Sequence, residues 1–201
     1  MAIKFQYNKT SMQDLDKQLK VRVRALPTIK NKESALRVEV KKTKDIAIAL
    51  NAEYERKIES FSEILRLWVE FDSSLLSIED VRLGVRKIAG VNTPVLNEIV
   101  FNVKDFAIFD KPAWFLDGIE IVKDIARTAI EAEVANKKME LLEQIRKKTT
   151  QKVNLYEKVQ IPGFQDAILK IKRFLEDEEN LSKSSQKIVK NKQQDREEDT
   201  E

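Results

Sequence analysis

The 201-residue chain has no cysteine and no histidine, and only four glycines and four prolines. Each absence removes a class of function. Without cysteine there are no disulfides and no thiolate metal sites. Without histidine there are no imidazole metal ligands, the commonest general base is missing, and every Ser-His or Cys-His catalytic pair is excluded. None of the glycines falls in a GxxxxGK or GxGxxG spacing, so the usual loops that cradle phosphate are unsupported. No apolar run reaches the roughly 18 residues of a membrane span, and the opening MAIKFQYNKTSMQDLDK lacks the apolar core of a signal peptide. The chain is therefore expected to be cytosolic and soluble, with no catalytic, cofactor-binding or metal-binding residues.

What is abundant is charge. Asp, Glu, Lys and Arg make up 35% of the chain against 42% apolar residues, more charge than the roughly 25% of an average soluble domain. Helices with a narrow apolar seam and a wide wet surface have this composition. The 37 basic and 34 acidic residues nearly cancel, leaving a net charge of +3, so no strong field draws the chain to nucleic acid or anionic lipid.

The scarce helix breakers are unevenly placed. Thr28 to Leu83 and Ile119 to Ile161 contain neither glycine nor proline, and withholding both permits very long helices. In the first arm, Leu15, Leu19, Val23, Leu26 and Ile29 open an apolar series at alternating steps of three and four. Leu36, Val40, Ala47, Leu50, Tyr54, Phe61, Leu65 and Trp68 continue it, with polar interruptions at Glu33, Thr43 and Lys57. Helix is expected from about Ser11 to Glu70, kinked or briefly broken near Ala25 and Leu26 by Pro27. The second arm runs through Leu116, Ile119, Val122, Ala126, Ile130, Val134, Leu141, Ile145, Leu155 and Val159. Pro162 and Gly163 punctuate it before Phe164, Ile168, Ile171 and Leu175 restart the same period. The fold class is mainly α, a long antiparallel two-helix coiled coil made by the N- and C-terminal segments. Its parts are a first helix over 1–72, a head over 73–113, a second helix over 114–190 and a polar, disordered tail over 191–201.

Inside the head the period changes from 3.6 to 2. Val81, Leu83 and Val85 alternate with Arg82, Gly84 and Arg86, and Ile99 to Ile108 is rich in strand formers. With AGVNTPV as the turn between them, this predicts a small β-hairpin that caps the end of the coiled coil and leans on the helices or on a partner. Trp68, Phe71, Trp114 and Phe115 should pack the junction of both arms with the head.

Three blocks then carry a family resemblance. KVNLYEKVQIP, Lys152 to Pro162, resembles the R-V-N-A-L-E and I-P block of the V-type ATPase D subunit. Val153, Asn154, Glu157, Ile161 and Pro162 match, while Leu155 and Tyr156 depart from it. LPTIKNKESALRVEV, Leu26 to Val40, is similar to that family's early helix, particularly in its bacterial branch, and IAGVNTPV, Ile88 to Val95, to its central G-x-x-x-P turn. The resemblance implies a non-catalytic central-stalk rotor shaft of a V-type ATP synthase or ATPase. Such a shaft transmits torque between the hexamer of A and B subunits and the membrane ion-translocating ring. It further implies one copy per complex, no cofactor, and as partners the A, B and F subunits and the funnel-like central-stalk subunit. The place implied is cytoplasmic, on the periphery of a membrane-bound assembly, with no membrane insertion of its own.

On that reading, Arg22, Arg24, Lys30, Lys32, Lys170, Lys172 and Arg173 are candidate contacts with acidic loops of the hexamer, a solvated face being the other reading. Val81, Leu83, Val85, Gly90, Pro94, Val100 and Phe101 are candidate contacts with the F subunit or the funnel subunit, strand pairing being the other. Asn154 is a candidate for fixing helix register across the seam, with plain exposure as the alternative. The competing classes are a cytosolic coiled-coil adaptor or scaffold, the gamma shaft of an F-type enzyme, whose central domain is too large for these forty residues, and a membrane-surface helix protein. An enzyme comes last.

Overall fold

A computed structural model describes residues 3–62, 71–105, 112 and 114–198. The described residues are mainly helical. Helix α1 spans Lys9–Ser62. After a short 3-10 turn at Ser73–Leu75, strands β1, Leu76–Ile88, and β2, Val91–Val103, form one antiparallel two-stranded sheet. Helix α2, Phe115–Asn154, passes through a π-helical segment, Leu155–Gln160, into helix α3, Ile161–Glu198. The chain divides into two compact units, Met1–Asn31 with Thr150–Glu201, and Lys32–Thr149. The expected mix of long helices around a small central hairpin is what forms.

In the first unit, the Asn8 side chain caps α1 by accepting from the Ser11 backbone N–H at 2.7 Å. Leu15 of α1 packs with Phe164, Ala167 and Ile171 of α3, and Ile3, Phe5, Met12, Leu19, Ile168 and Leu175 close around them. The segment before the cap is part of this core. Ile3 lies against Gly163 while Tyr7 packs on Phe174 at 4.9 Å between ring centroids, so the chain first runs along α3 and then returns antiparallel to it as α1. The alternation Ile3, Phe5, Tyr7 is a strand-like period of two that places three apolar side chains on one side. α1 continues unbroken through Pro27, although the ring removes one backbone donor and a mid-helix proline costs about 3 kcal/mol.

In the second unit, α1 and α2 again run antiparallel, and the hairpin lies along them. Leu36 of α1, Val91 of β2 and Leu142 of α2 form a buried cluster, with Val40, Ala89, Leu141 and Ile145 around it. Farther back, β2 at Ile99 approaches Arg127 and Glu131 of α2. From Ile99 to Val91 a strand advances about 26 Å, and from Arg127 to Leu142 a helix advances about 22 Å, so sheet and helix keep pace. This changes the expectation of an end cap. Two 13-residue strands are long enough to fold back over the helices, and burial of Val91 and Thr93 beneath the tip supplies the support that an isolated two-stranded sheet lacks.

The turn also differs from the expected AGVNTPV. Ile88 pairs with Val91, leaving a two-residue loop in which Ala89 and Gly90 both have positive φ, 48° and 76°, the signature of a type I′ hairpin turn. Pro94 therefore lies within β2. Counting from the closing pair, its partnership with Val85 is a non-hydrogen-bonded one, where a missing N–H costs no ladder bond. Glu79 and Asn97 are surplus residues at two register shifts. At the second, the Asn97 amide occupies the space a side chain at residue 84 would need, only 2.8 Å from where a Cβ would sit, and glycine fills the position.

Three further expectations meet the structure. α3 continues to Glu198, through the polar segment read from sequence as disordered. Ahead of that segment the helix carries local pairs such as Glu179–Lys183 at 2.7 Å. Phe71, Trp114 and Phe115 do cluster, with centroids 4.8 to 6.1 Å apart. Leu65, Trp68 and Phe106 to Ile108 lie outside the described residues.

Candidate functional site

Alternation fixes which face of the hairpin meets solvent. Ile88/Val91 and Arg86/Thr93 share one face, Val85/Pro94 and Leu83/Leu96 the other. Val91 and Thr93 of the first face are buried, while on the second Leu83 is 54% and Val85 75% exposed. Val81, Leu83 and Pro94 also border a crevice of about 180 Å³ against Ile130, Glu133, Val134 and Lys137 of α2. These exposed apolar side chains beside a crevice make this face the candidate site.

Four of the seven residues assigned from sequence to contacts with the F subunit or the funnel subunit, Val81, Leu83, Val85 and Pro94, come together on this surface. The other three do not. Gly90 is at the tip, with the Lys32 ammonium close to its Cα side, while Val100 and Phe101 pair with Asp80 and Ile78 toward the open end and, being consecutive, face opposite ways.

The seam between α1 and α2 carries polar links that the sequence reading missed. Asn51 and Asn136 exchange side-chain hydrogen bonds at 3.3 and 3.4 Å. The Lys57 ammonium donates to the Thr128 hydroxyl at 2.8 Å and pairs with Asp124 at 2.8 Å and Glu53 at 3.3 Å. The hydrogen bond from Lys57 to Asp124 raises the Lys57 pKa above its ordinary value against the opposing effect of partial burial, with Glu53 adding to the rise. Polar residues that satisfy one another across a helix pair select a single register. Lys57 had been visible only as an interruption of the stripe, and Asn51 and Asn136 gave no signal until paired. Nearby, Arg146 grips Glu143 with two bonds of 2.6 and 2.7 Å, and that fork holds the Glu143 carboxyl below its ordinary pKa.

Two of the cations assigned to the hexamer are occupied within the first unit. Arg22 donates to the Gln160 side chain at 2.7 Å and stacks over Phe164 at 4.5 Å; Lys30 pairs with Glu157 at 2.7 Å. Lys170 and Lys172 make local pairs with Asp166 and Glu176. Arg24 and Arg173 are exposed and make no ion pair among the described residues. In the motif block, Glu157 is thus a cross-helix partner, Val153 and Ile161 are half-buried, and Pro162 and Asn154 are exposed. Asn154 makes no side-chain cap bond, and the amides that meet across the seam are those of Asn51 and Asn136. No group of three or more His, Cys, Asp or Glu among the described residues could hold a metal.

Two long antiparallel helices, polar links on their seam and a hairpin folded along them define a class, a coiled-coil protein with a central β-hairpin. Comparison with known proteins makes the class specific. The sequence profile of the ATP synthase D subunit matches residues 11–191. The chain is 32% identical over 181 residues to the V-type ATP synthase D subunit of Chlamydia felis, covering 88% of this chain and 87% of the relative. The corresponding values are 31% over 188 residues, 90% and 93%, for that of Borreliella burgdorferi, and 30% over 172 residues, 83% and 85%, for that of Chlamydia muridarum. The chain belongs to the family of ATP synthase D subunits. Among the described residues no helix is long and apolar enough to cross a membrane.

Proposed function

We propose that this chain is the non-catalytic central-stalk rotor shaft of a V-type ATP synthase or ATPase, carrying torque between the A/B hexamer and the membrane ring. The observation that carries the reading is the set of links across the helix pair. Asn51–Asn136 and Lys57–Asp124 in one unit, and Arg22–Gln160 and Lys30–Glu157 in the other, oppose sliding of one helix on the other. A transmission element needs that resistance to shear, because a pair of helices that slips dissipates the twist applied to it.

Torque can arise only where the contact free energy between shaft and sleeve depends on angle. Two unlike helices inside a ring of alternating A and B subunits meet that condition. Arg24, Arg173, Lys170 and Lys172 remain the candidate contacts with acidic loops of the hexamer, while the Leu83, Val85 and Pro94 face is the candidate docking surface for the F subunit or the funnel subunit. The chain would act as one copy per complex, on the cytoplasmic side and without a cofactor.

Co-expression with the A, B and F subunits of the same organism, followed by size-exclusion chromatography and an ATPase assay, tests this. One copy of the chain entering the hexamer with F and changing its turnover is the expected result. A chain that elutes alone or self-associates would replace the rotor with a coiled-coil adaptor.

A further inference from the structure

The two edges of the hairpin are unlike. Counted from the closing pair Ile88/Val91, Val85/Pro94 and Leu83/Leu96 are non-hydrogen-bonded pairs, whose backbone N–H and C=O groups point away from the opposite strand. On β2 one of those outward donors is missing, because Pro94 has no N–H. On β1 no proline interrupts the row, and Val81, Leu83 and Val85 present their backbone groups along the edge. Among the described residues β1 pairs with β2 alone, and nine of its 13 residues are exposed against four of 13 in β2. An open edge of this length invites another strand, and charge is the usual means of deciding which.

The charges of β1 are arranged about its middle. Glu79 and Asp80 lie on one side of Leu83, Arg86 and Lys87 on the other, and all four are exposed. Glu79, Arg86 and Lys87 make no ion pair among the described residues. A second β1 laid antiparallel against the first, with Leu83 opposite Leu83, sets Asp80 against Arg86, Glu79 against Lys87 and Val81 against Val85. Arg82 then faces Gly84, which has no side chain to obstruct it. The outward backbone groups of Val81, Leu83 and Val85 meet those of Val85, Leu83 and Val81, so hydrogen bonding and charge agree on one register. Moving the second strand by two residues keeps the backbones in step but sets Arg82 against Arg82 in one direction and against Arg86 in the other. A shift of one residue puts the backbone groups out of step, and in-register parallel pairing sets each charge beside its own kind.

We propose that β1 is the contact of a two-fold homodimer of the free chain, formed by antiparallel pairing about Leu83. The occupant of the edge is a second copy because the strand is complementary in charge to its own reverse. The resulting four-stranded sheet has the strand number that a lone pair lacks, and it brings the exposed Leu83 and Val85 beside apolar residues of the other copy. The inference concerns the chain on its own and does not rest on the rotor assignment, which calls for one copy where the A, B and F subunits are present.

Sedimentation equilibrium of the full chain, from micromolar to hundreds of micromolar, should show an apparent mass climbing from that of one chain toward that of two. Over the same range the amides of Val81, Leu83 and Val85 should become protected from hydrogen exchange, while that of Arg86, bonded inside the hairpin, should change little. Two charge variants separate this contact from any other. Glu79→Lys with Asp80→Arg makes the strand basic on both sides of Leu83, and Arg86→Glu with Lys87→Glu makes it acidic on both. The four positions are exposed, so melting temperatures should stay within about 5 °C of the parent. Each variant alone should dimerise at least about tenfold more weakly than the parent, and an equal mixture should recover a dimer containing one of each. A parent that stays monomeric throughout, a dimer indifferent to either variant, or a mixture that fails to pair would overturn the inference. So would protection of the three amides only on adding the F subunit, which would give the edge to another protein. None of these results bears on entry of the chain into the A/B hexamer.

Discussion

Replacing Leu36 by alanine tests whether the hairpin is held down by its tip. Leu36 is fully buried between Val91 of the hairpin and Leu142 of α2. Removing three carbons from that site forfeits about 2.4 kcal/mol at about 0.8 kcal/mol per methylene. A cavity that stays open adds about 24 cal/mol per Å³, and measured leucine truncations of this kind run from about 2 to 5 kcal/mol. Val40, Ala89, Leu141 and Ile145 around the site are only partly buried and can move inward. The expected loss is therefore about 3 kcal/mol. It should not be spread evenly, because among the described residues the hairpin has no third strand and depends on this contact to stay on the helices. Urea unfolding should show a lower midpoint at unchanged slope, and amide exchange at residues 86–93 should accelerate more than exchange in α2. Val38→Ala, two residues away on the exposed side of α1, is the control and should stay within about 0.5 kcal/mol of the parent. A loss under about 1 kcal/mol for Leu36→Ala, or tip exchange unchanged from the parent, would refute the reasoning.

Two glycines of the hairpin should respond differently to alanine. Gly90→Ala forces an L side chain into a positive φ of 76° and should cost about 1–2 kcal/mol, whereas Gly84→Ala need only displace the end of the Asn97 side chain and should cost under about 1 kcal/mol in chemical denaturation. Lys57 has a raised pKa, so its contribution to stability is complete below its ordinary value near 10.5 and fades as pH climbs through the higher folded value. The urea midpoint of the parent should thus fall toward that of Lys57→Met as pH is taken from about 8 to about 11.5, and a constant gap would contradict the Asp124 link. Leu83→Asp with Val85→Asp places two carboxylates on an exposed face. The melting temperature should barely move, but co-elution with the F subunit should be lost, and retained co-elution would assign that face no part in docking.

Much of this fold could be read from the chain because long helices announce themselves by what they exclude. Gly84, Gly90, Gly118 and Gly163 with the four prolines bounded the arms, and the stripe from Leu15 through Leu50 set the inner face of α1. The hairpin was legible as a change of period, yet its extent was not. Gly90 and Pro94 both look like breakers, but a proline at a non-hydrogen-bonded edge position is compatible with a strand, so the turn contracted to Ala89–Gly90. The place of the hairpin was hidden too, since Val91 meets Leu36 across a long stretch of sequence. For the surface residues, sequence named cations that suited an acidic partner without revealing that Arg22 and Lys30 had partners in the same chain. Asn154 drew attention as a polar residue in an apolar block, while the amides that do meet across the seam, Asn51 and Asn136, sat in unremarked polar stretches.

The final stretch of α3 has a consequence of its own. Beyond Leu175, every side chain described through Gln194 is exposed, so helix there rests on backbone bonds and local ion pairs alone, a regime in which short helices are marginal in water. Such a segment works as a built-in gauge. In the isolated chain its amides should exchange quickly and its ellipticity should drift with temperature well before the cores melt. Any neighbour that enclosed Leu181 and Ile188 would slow the one and flatten the other, so that a single peptide, followed by mass, would report whether the chain is seated in its assembly.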